Sequence, residues 1–146
     1  DFDAELWARE EQRARNREQH QQPLPPIIGN EQDASIAAQA RDNVAAAGLS
    51  DCIQIQCGDF RDLELPSGPG TVVCNPPYGV RVGDEHSLEA LYADLGNTVK
   101  AKASGWDAWV LSGNAGVTGA LRMKASRRIP ISNGGIDCRW LHYQVR

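Results

Sequence analysis

Stretches of strand character alternate along this chain with stretches of helical period, and that alternation restricts the fold more than any other feature. Strand-like runs fall at Ile27-Ile28-Gly29-Asn30, at 52–57, where Ile53 and Ile55 alternate with Gln54 and Gln56, at 71–74, at 106–111, at about 128–132 and at 136–145. Helical patterns fill the intervals. The first covers 3–19, with Phe2, Leu6 and Trp7 near its start and Glu5/Arg9 and Glu11/Arg15 as i,i+4 pairs; past Trp7 it has no apolar stripe, so its far half should lie in solvent. Asp33 is placed to cap a helix over 34–47 with Ile36, Ala40, Val44 and Ala47 inward and Gly48 at its end. A third starts at Ser87, sets Leu88, Leu91, Tyr92, Leu95 and Val99 on one face and stops at Gly105; a short one lies near 115–122. Asn133-Gly134 between the last two strands is a hairpin signal, so those two should be antiparallel. The expected fold is α/β, with a mostly parallel sheet closed by one antiparallel hairpin.

A chain of 146 residues has room for one domain, and 41% apolar with 23% charged residues suits a packed core. No apolar run approaches membrane-spanning length, and the start (Asp1, Asp3, Glu5) is unlike a secretory signal. Cys52, Cys57, Cys74 and Cys138 form no CxxC pair, and His20, His86 and His142 are scattered, so reduced core cysteines and no metal are expected. Charge is uneven. Residues 19–100 carry 4 basic and 11 acidic side chains, whereas residues 101–146 carry 7 basic and 2 acidic ones. The acidic middle suits a cationic or hydroxyl-rich small ligand and the basic end a polyanion, although either could be an ordinary solvated face.

Chemistry concentrates at strand ends, where open parallel sheets bind ligands. Cys74-Asn75-Pro76-Pro77-Tyr78-Gly79 follows the run Thr71-Val72-Val73, read as a buried strand. The prolines withdraw two N–H donors, so carbonyls and the Asn75 amide dominate the local polar surface, and Tyr78 offers a face for stacking. Such a corner can hold the two hydrogens of an exocyclic amine and leave its lone pair facing an electrophile. A rigid Asn-Pro turn is the plainer reading of an isolated pair, less so of four such residues after a strand. Glu31, after the first strand-like run, suits ribose hydroxyls; Asp33 is its rival but looks more like a helix cap. Asp59 could accept from an adenine amino group, with Phe60 as an apolar wall. No GxGxxG and no P-loop occurs, and the glycines at 113, 116 and 119 read as a turn and helix start.

With these residues assembled, the chain resembles the Rossmann-like S-adenosylmethionine-dependent methyltransferases that modify amino groups through an Asn-Pro-Pro-Tyr motif. Among them it is most similar to the large-subunit ribosomal RNA guanine-N2 methyltransferases, whose full-length members carry a THUMP domain. The matching stretches are Phe2-Asp3 to Leu6-Trp7, Gly29-Asn30-Glu31-Gln32-Asp33, Asn75-Pro76-Pro77-Tyr78-Gly79-Val80-Arg81, and the tail from Ser112-Gly113-Asn114 through Arg127-Arg128-Ile129-Pro130 to Asn133-Gly134. The motif alone implies amino methylation, including adenine in DNA and glutamine in protein; the tail is more family-specific.

The resemblance implies roles. S-adenosylmethionine would be the cofactor, with Glu31 on its ribose, Asp59 and Phe60 at its adenine and Asn75 beside its methyl. Asn75 and the Pro76 carbonyl, followed by Pro77, would hold the target amine; Tyr78 would stack on a guanine extruded from ribosomal RNA, and Arg127 and Arg128 would contact the substrate. It also implies that the family's first strand and glycine-rich loop, between the strands bearing Glu31 and Asn75, precede the helix at which this chain begins, with the THUMP domain further upstream. Residues 1–146 are then expected to be a partial methyltransferase domain, with 1–22 a helix and linker and 27–146 the α/β core, cytoplasmic and inactive alone. The rivals are an adenine-specific DNA methyltransferase, a protein-glutamine methyltransferase, and a cofactor-less domain binding RNA through Arg122, Lys124, Arg127 and Arg128.

Overall fold

The computed structural model describes residues 2–18, 25–77 and 85–146. The elements follow in order: α1 (Ala4–Glu18), β1 (Ile27–Glu31), α2 (Ala34–Ala46), β2 (Ile53–Cys57), β3 (Thr71–Cys74), α3 (Glu85–Lys102), β4 (Asp107–Ser112), α4 (Ala115–Thr118) running into a 3₁₀ turn (Gly119–Leu121), β5 (Arg127–Asn133) and β6 (Ile136–Gln144). Every strand and helix expected from the sequence is present, with ends displaced by a residue or two.

The strands form two sheets. β1 and β2 make a parallel pair, and β3, β4, β6 and β5 lie side by side in that order. In the larger sheet β3 and β4 are parallel, with Cys74 beside Val110, and the β5–β6 hairpin runs antiparallel, turned at Gly134 and Gly135, both at positive φ. β6 also pairs antiparallel with β4, so the α/β architecture is confirmed with mixed strand directions. β1 and β3 are both edge strands. Each pairs on one side only, which leaves backbone groups of the two edges unsatisfied by any ladder.

The core belongs to the second sheet. Leu88, Tyr92 and Val99 of α3 pack on Ala108 and Val110 of β4, Leu141 and Tyr143 of β6, and Val117 and Leu121 after β4. α3 approaches the 3₁₀ turn closely because residue 96 is glycine: a Cβ there would strike the Leu121 carbonyl. Gly70 serves the Trp106 ring similarly, and Trp106 Nε1 donates to the Gly68 carbonyl at 2.6 Å.

Two details of packing differ from the sequence reading. β3 is not a buried strand; it lies at a sheet edge, with Val73 63% exposed. On α2 the buried residue is Ala37, while Ile36 is 51% exposed and Ala47 is exposed. The inward line is Ala37, Ala40 and Val44, because an alanine lets the helix backbone come down on β1 and β2, whereas the bulkier Ile36 falls about 100° around the axis. The cap is as expected: Asp33 Oδ1 accepts from Ser35 N at 2.8 Å and Ile36 N at 3.1 Å. All four cysteines are free thiols. Among the described residues no helix is long and apolar enough to cross a membrane, and no cluster of His, Cys, Asp or Glu could hold a metal.

Candidate active site

A groove of about 760 Å³ lies between the two sheet edges. Its walls are Ile28, Gly29 and Asn30 of β1, Val72, Val73 and Cys74 of β3, and Phe60 and Leu65 of the connection between them, with Trp106 at one end. Gly29 keeps β1 flat against its neighbour, since a Cβ there would lie 2.7 Å from Ile55 Cδ1. Burial pushes the Cys74 thiol up to about 11, so it lines the groove as a neutral group rather than a nucleophile.

The polar groups cluster where β1, β2 and β3 end. Asn30 Nδ2 donates to the Gly58 carbonyl at 2.9 Å, tying the end of β1 to the turn after β2. Glu31 is half-buried, and its Oε1 accepts from Asp33 N at 2.9 Å. Asp33 is committed to its helix: hydrogen bonds from the Ser35 hydroxyl first, then from the Ile36 and Ser35 amides, hold its carboxyl below the usual range. Of the two rivals for a ribose, Glu31 is the one not used as a cap.

Asp59 is not an open carboxylate. Arg61 grips it from Nε to Oδ1 at 2.9 Å and from an Nη to Oδ2 at 2.5 Å, and the Arg61 amide adds a bond of 2.8 Å to Oδ1. That side-chain bond is the main reason its carboxyl falls to about 2. Arg61 also reaches Asp94 of α3 at 3.1 Å and lies 5.9 Å from the centre of the Phe60 ring. Only the remaining lone pairs of Asp59 can meet a ligand. Nothing in the sequence signals that Arg61 folds back on a residue two positions away.

Asn75 directly follows Cys74. It is exposed, Pro76 is half-buried and Pro77 is exposed, so this part of the corner faces outward at the groove's end rather than packing inside. Tyr78, Gly79, Val80 and Arg81 lie outside the described residues. Arg127 and Arg128 are exposed on β5, opposite His142 and Leu141, and lie three strands across the sheet from Asn75, with Arg128 level with Cys74 through Leu141 and Val110. Of the expected site residues that are described, only Phe60 lines the groove; Glu31, Asp59 and Asn75 are chain neighbours of its lining residues Asn30, Phe60 and Cys74, and the two arginines lie apart on β5.

One constellation is not legible in the sequence. Ser126 Oγ lies 2.7 Å from His142 Nδ1, and His142 Nε2 lies 2.7 Å from Asp107 Oδ1. Trp109 stacks on the imidazole with centroids 4.4 Å apart. Serine, histidine and aspartate in series resemble a nucleophile triad. Here they tie together the ends of neighbouring strands: Asp107 opens β4, His142 is near the end of β6, and Ser126 precedes β5 and donates its backbone N–H to the His142 carbonyl at 2.8 Å.

Two parallel strand pairs flanked by helices, with acids and an amide–proline corner at strand ends around a groove, define a Rossmann-like ligand-binding domain. The chain belongs to the UPF0020 family, the RMKL-like methyltransferase domain, whose model matches residues 2–142. It is 35% identical over 145 residues to slr0064 of Synechocystis sp., provisionally named an RNA methyltransferase, covering 99% of this chain and 38% of that protein. It is 36% identical over 149 residues to the ribosomal RNA large subunit methyltransferase K/L of Aliivibrio fischeri ES114, covering 99% of this chain and 21% of that protein. Among solved structures, SMU.472, provisionally called a methyltransferase and complexed with SAH, superposes with a TM-score of 0.82 at 23% identity, over 99% of this chain and 38% of that one. The chain thus spans between a fifth and two fifths of the length of these relatives, and shares the methyltransferase fold with them.

Proposed function

We propose that the protein of which these residues form part transfers a methyl group from S-adenosylmethionine to the exocyclic N2 amine of a guanine in large-subunit ribosomal RNA, in the cytoplasm. The observation that carries this reading is the outward-facing Asn75–Pro77 segment at the end of β3, where Glu31 and Asp59 also follow strand ends. The residues at the strand ends fit the nucleoside end of the cofactor: Phe60 suits a purine, and the half-buried Glu31 suits ribose hydroxyls. When bound, the cofactor supplies an electrophilic methyl on a sulfonium.

Asn75 and the Pro76 carbonyl accept the two amine hydrogens and turn the nitrogen lone pair toward that methyl. Tyr78 stacks on the extruded base, which leaves its helix or loop to reach the corner. The amine proton would pass to water, since Arg61 makes the Asp59 carboxylate a weak base and Cys74 is a neutral thiol. Catalysis is then mainly alignment. In the full-length protein, Asn75→Ala is expected to lower kcat by about 100-fold or more while leaving cofactor affinity within a few-fold. A mutant of full turnover refutes the role of Asn75. Tritium transfer to ribosomal RNA, and none to duplex DNA, separates this reading from the adenine-DNA alternative.

The unpaired edges of β1 and β3 support a further part of the reading. One strand from the rest of the parent chain, with its loop, fits between them, completes the sheet and cradles the methionine end. Residues 1–146 alone are then inactive. Isothermal titration should show S-adenosylmethionine binding at least about 100-fold weaker to residues 1–146 than to the parent; equal affinities refute it.

A further inference from the structure

At the end of the larger sheet away from Asn75, a second recess of about 470 Å³ opens between the end of α3, the loop before β5 and the end of β6. Four cations line it, Lys100, Arg122, Lys124 and Arg146, together with Ser126 and Gln144. Among the described residues none of the four is in an ion pair. The acid closest in the sheet, Asp107, pairs in register with Gln144, and its carboxylate is turned to His142 at 2.7 Å. Among the described residues this concentration of positive charge therefore has no ion-pair partner. Arg122 is also the one non-glycine residue described at positive φ, 50°, where it closes the 3₁₀ turn. A left-handed arginine is strained and persists only where the surrounding structure holds it.

A further cavity adjoins this recess. Met123 and Ala125 also form walls of a cavity of about 770 Å³ that runs along β5 and β6 to Ser112 and Gly113. Arg128 and Arg139 line that cavity, and Arg139 sits opposite Ser112 in the sheet. Ser112 ends β4, the strand beside β3, which Asn75 directly follows. β5 is seven residues long, so the path from Arg127 at its start to the hairpin is about 20 Å. Cations thus line two adjoining recesses that share Met123 and Ala125 as walls, and this grooved surface reaches Ser112, on the strand beside the one that Asn75 follows. Asp137 is the one acid on its walls among the described residues.

We propose that this groove is the track for an RNA strand flanking the target nucleotide, with Lys100, Arg122, Lys124 and Arg146 anchoring backbone phosphates about a strand's length from the reacting base. RNA as the substrate class rests on the proposed function; the path of the strand and the cations that hold it are new. Regularly repeated phosphates are the partner that a row of unpaired cations fits; no base-reading geometry is needed at the anchor.

The test uses the full-length protein, a fluorescent ribosomal RNA fragment and no cofactor, with affinity followed by anisotropy over a series of salt concentrations. Arg122→Glu/Lys124→Glu should weaken binding at least about tenfold at roughly 0.1 M salt, and Arg122→Ala/Lys124→Ala should lower the salt slope by about 1.4, at about 0.7 for each single-strand phosphate no longer neutralised. Arg122→Lys/Lys124→Arg should restore both, which shows that charge and not folding was at issue. Arg9→Glu, on α1, should change neither. Wild-type affinity and slope in the double variants, or an equal weakening in Arg9→Glu, overturns the proposal. RNA binding is measured without methyl transfer, so a parent that binds through this groove but transfers no methyl group refutes the catalytic reading and leaves this one standing.

Discussion

The two halves of the chain differ in how they are held together. From Leu88 to Val145 the structure has an interlocked core in which Tyr92 and Leu121 are fully buried and Tyr143 nearly so. From Phe2 to Cys74 the described residues bury one side chain completely, Ala37, while Phe2, Leu6, Trp7, Ile27, Ile36, Leu49 and Val73 remain exposed. Yet the early half contributes Glu31, Asp59 and Phe60 to the candidate site, and Asn75 directly follows it. Stability and chemistry are therefore divided: one half supplies the scaffold, and the other presents polar groups on strands whose edges are open.

The sharpest break in this comparison should come from Tyr92→Ala. Removing a fully buried aromatic from the core is expected to cost about 3–5 kcal/mol, read from the urea midpoint of residues 1–146, and to abolish the protection of β4 and β6 amides in hydrogen exchange. Gly96→Ala should follow at about 1–3 kcal/mol, because the added methyl meets the Leu121 backbone. His142→Ala should be milder, about 1–2 kcal/mol, since it leaves the Asp107 carboxylate and the Ser126 hydroxyl free to find water. Ile36→Ala, in the other half, should fall within about 0.5 kcal/mol. If Ile36→Ala cost as much as Tyr92→Ala, the division into scaffold and presenting half would be wrong.

The Asp59–Arg61 grip predicts a pH dependence within the presenting half. Asp59 titrates lower in the folded chain, about 2 against an ordinary 3.8, so the folded state binds its proton less readily than the unfolded one. Its contribution to stability is complete above about pH 4 and is lost as pH falls toward 2. Carboxyl carbon NMR should show Asp59 ionised at about pH 3 in the wild type, and Arg61→Ala should return its midpoint toward the ordinary value. An unchanged midpoint in that variant would show that Arg61 is not the cause.

Much of the fold is legible in the sequence, and the departures have physical causes. The Asp33 cap, the Gly48 and Gly105 stops and the Asn133-Gly134 turn depend on interactions within a few residues, and the structure keeps all of them. The α3 face is also readable, since Leu88, Tyr92 and Val99 recur at helical spacing against one core. Hydrophobicity alone points Ile36 inward, but which side of α2 faces the sheet is set by how closely the helix can approach. A run of β-branched residues suits a central strand as well as an edge, so the pattern around Val73 does not reveal its exposure. At the site, Glu31, Phe60 and Asn75 stand out by their positions after strands; the grip of Arg61 on Asp59 and the Ser126–His142–Asp107 chain do not.

The sequence by itself determined the order and kind of the elements, the motif at the end of β3 and the family to which the chain belongs, because local backbone preferences and contiguous residues carry that information. Tertiary structure alone decided which strand edges stay open, which acids are already engaged and which cations share a groove. Those depend on residues distant in the chain, such as Lys100 and Arg146, meeting across a packed sheet, and no local pattern encodes that meeting.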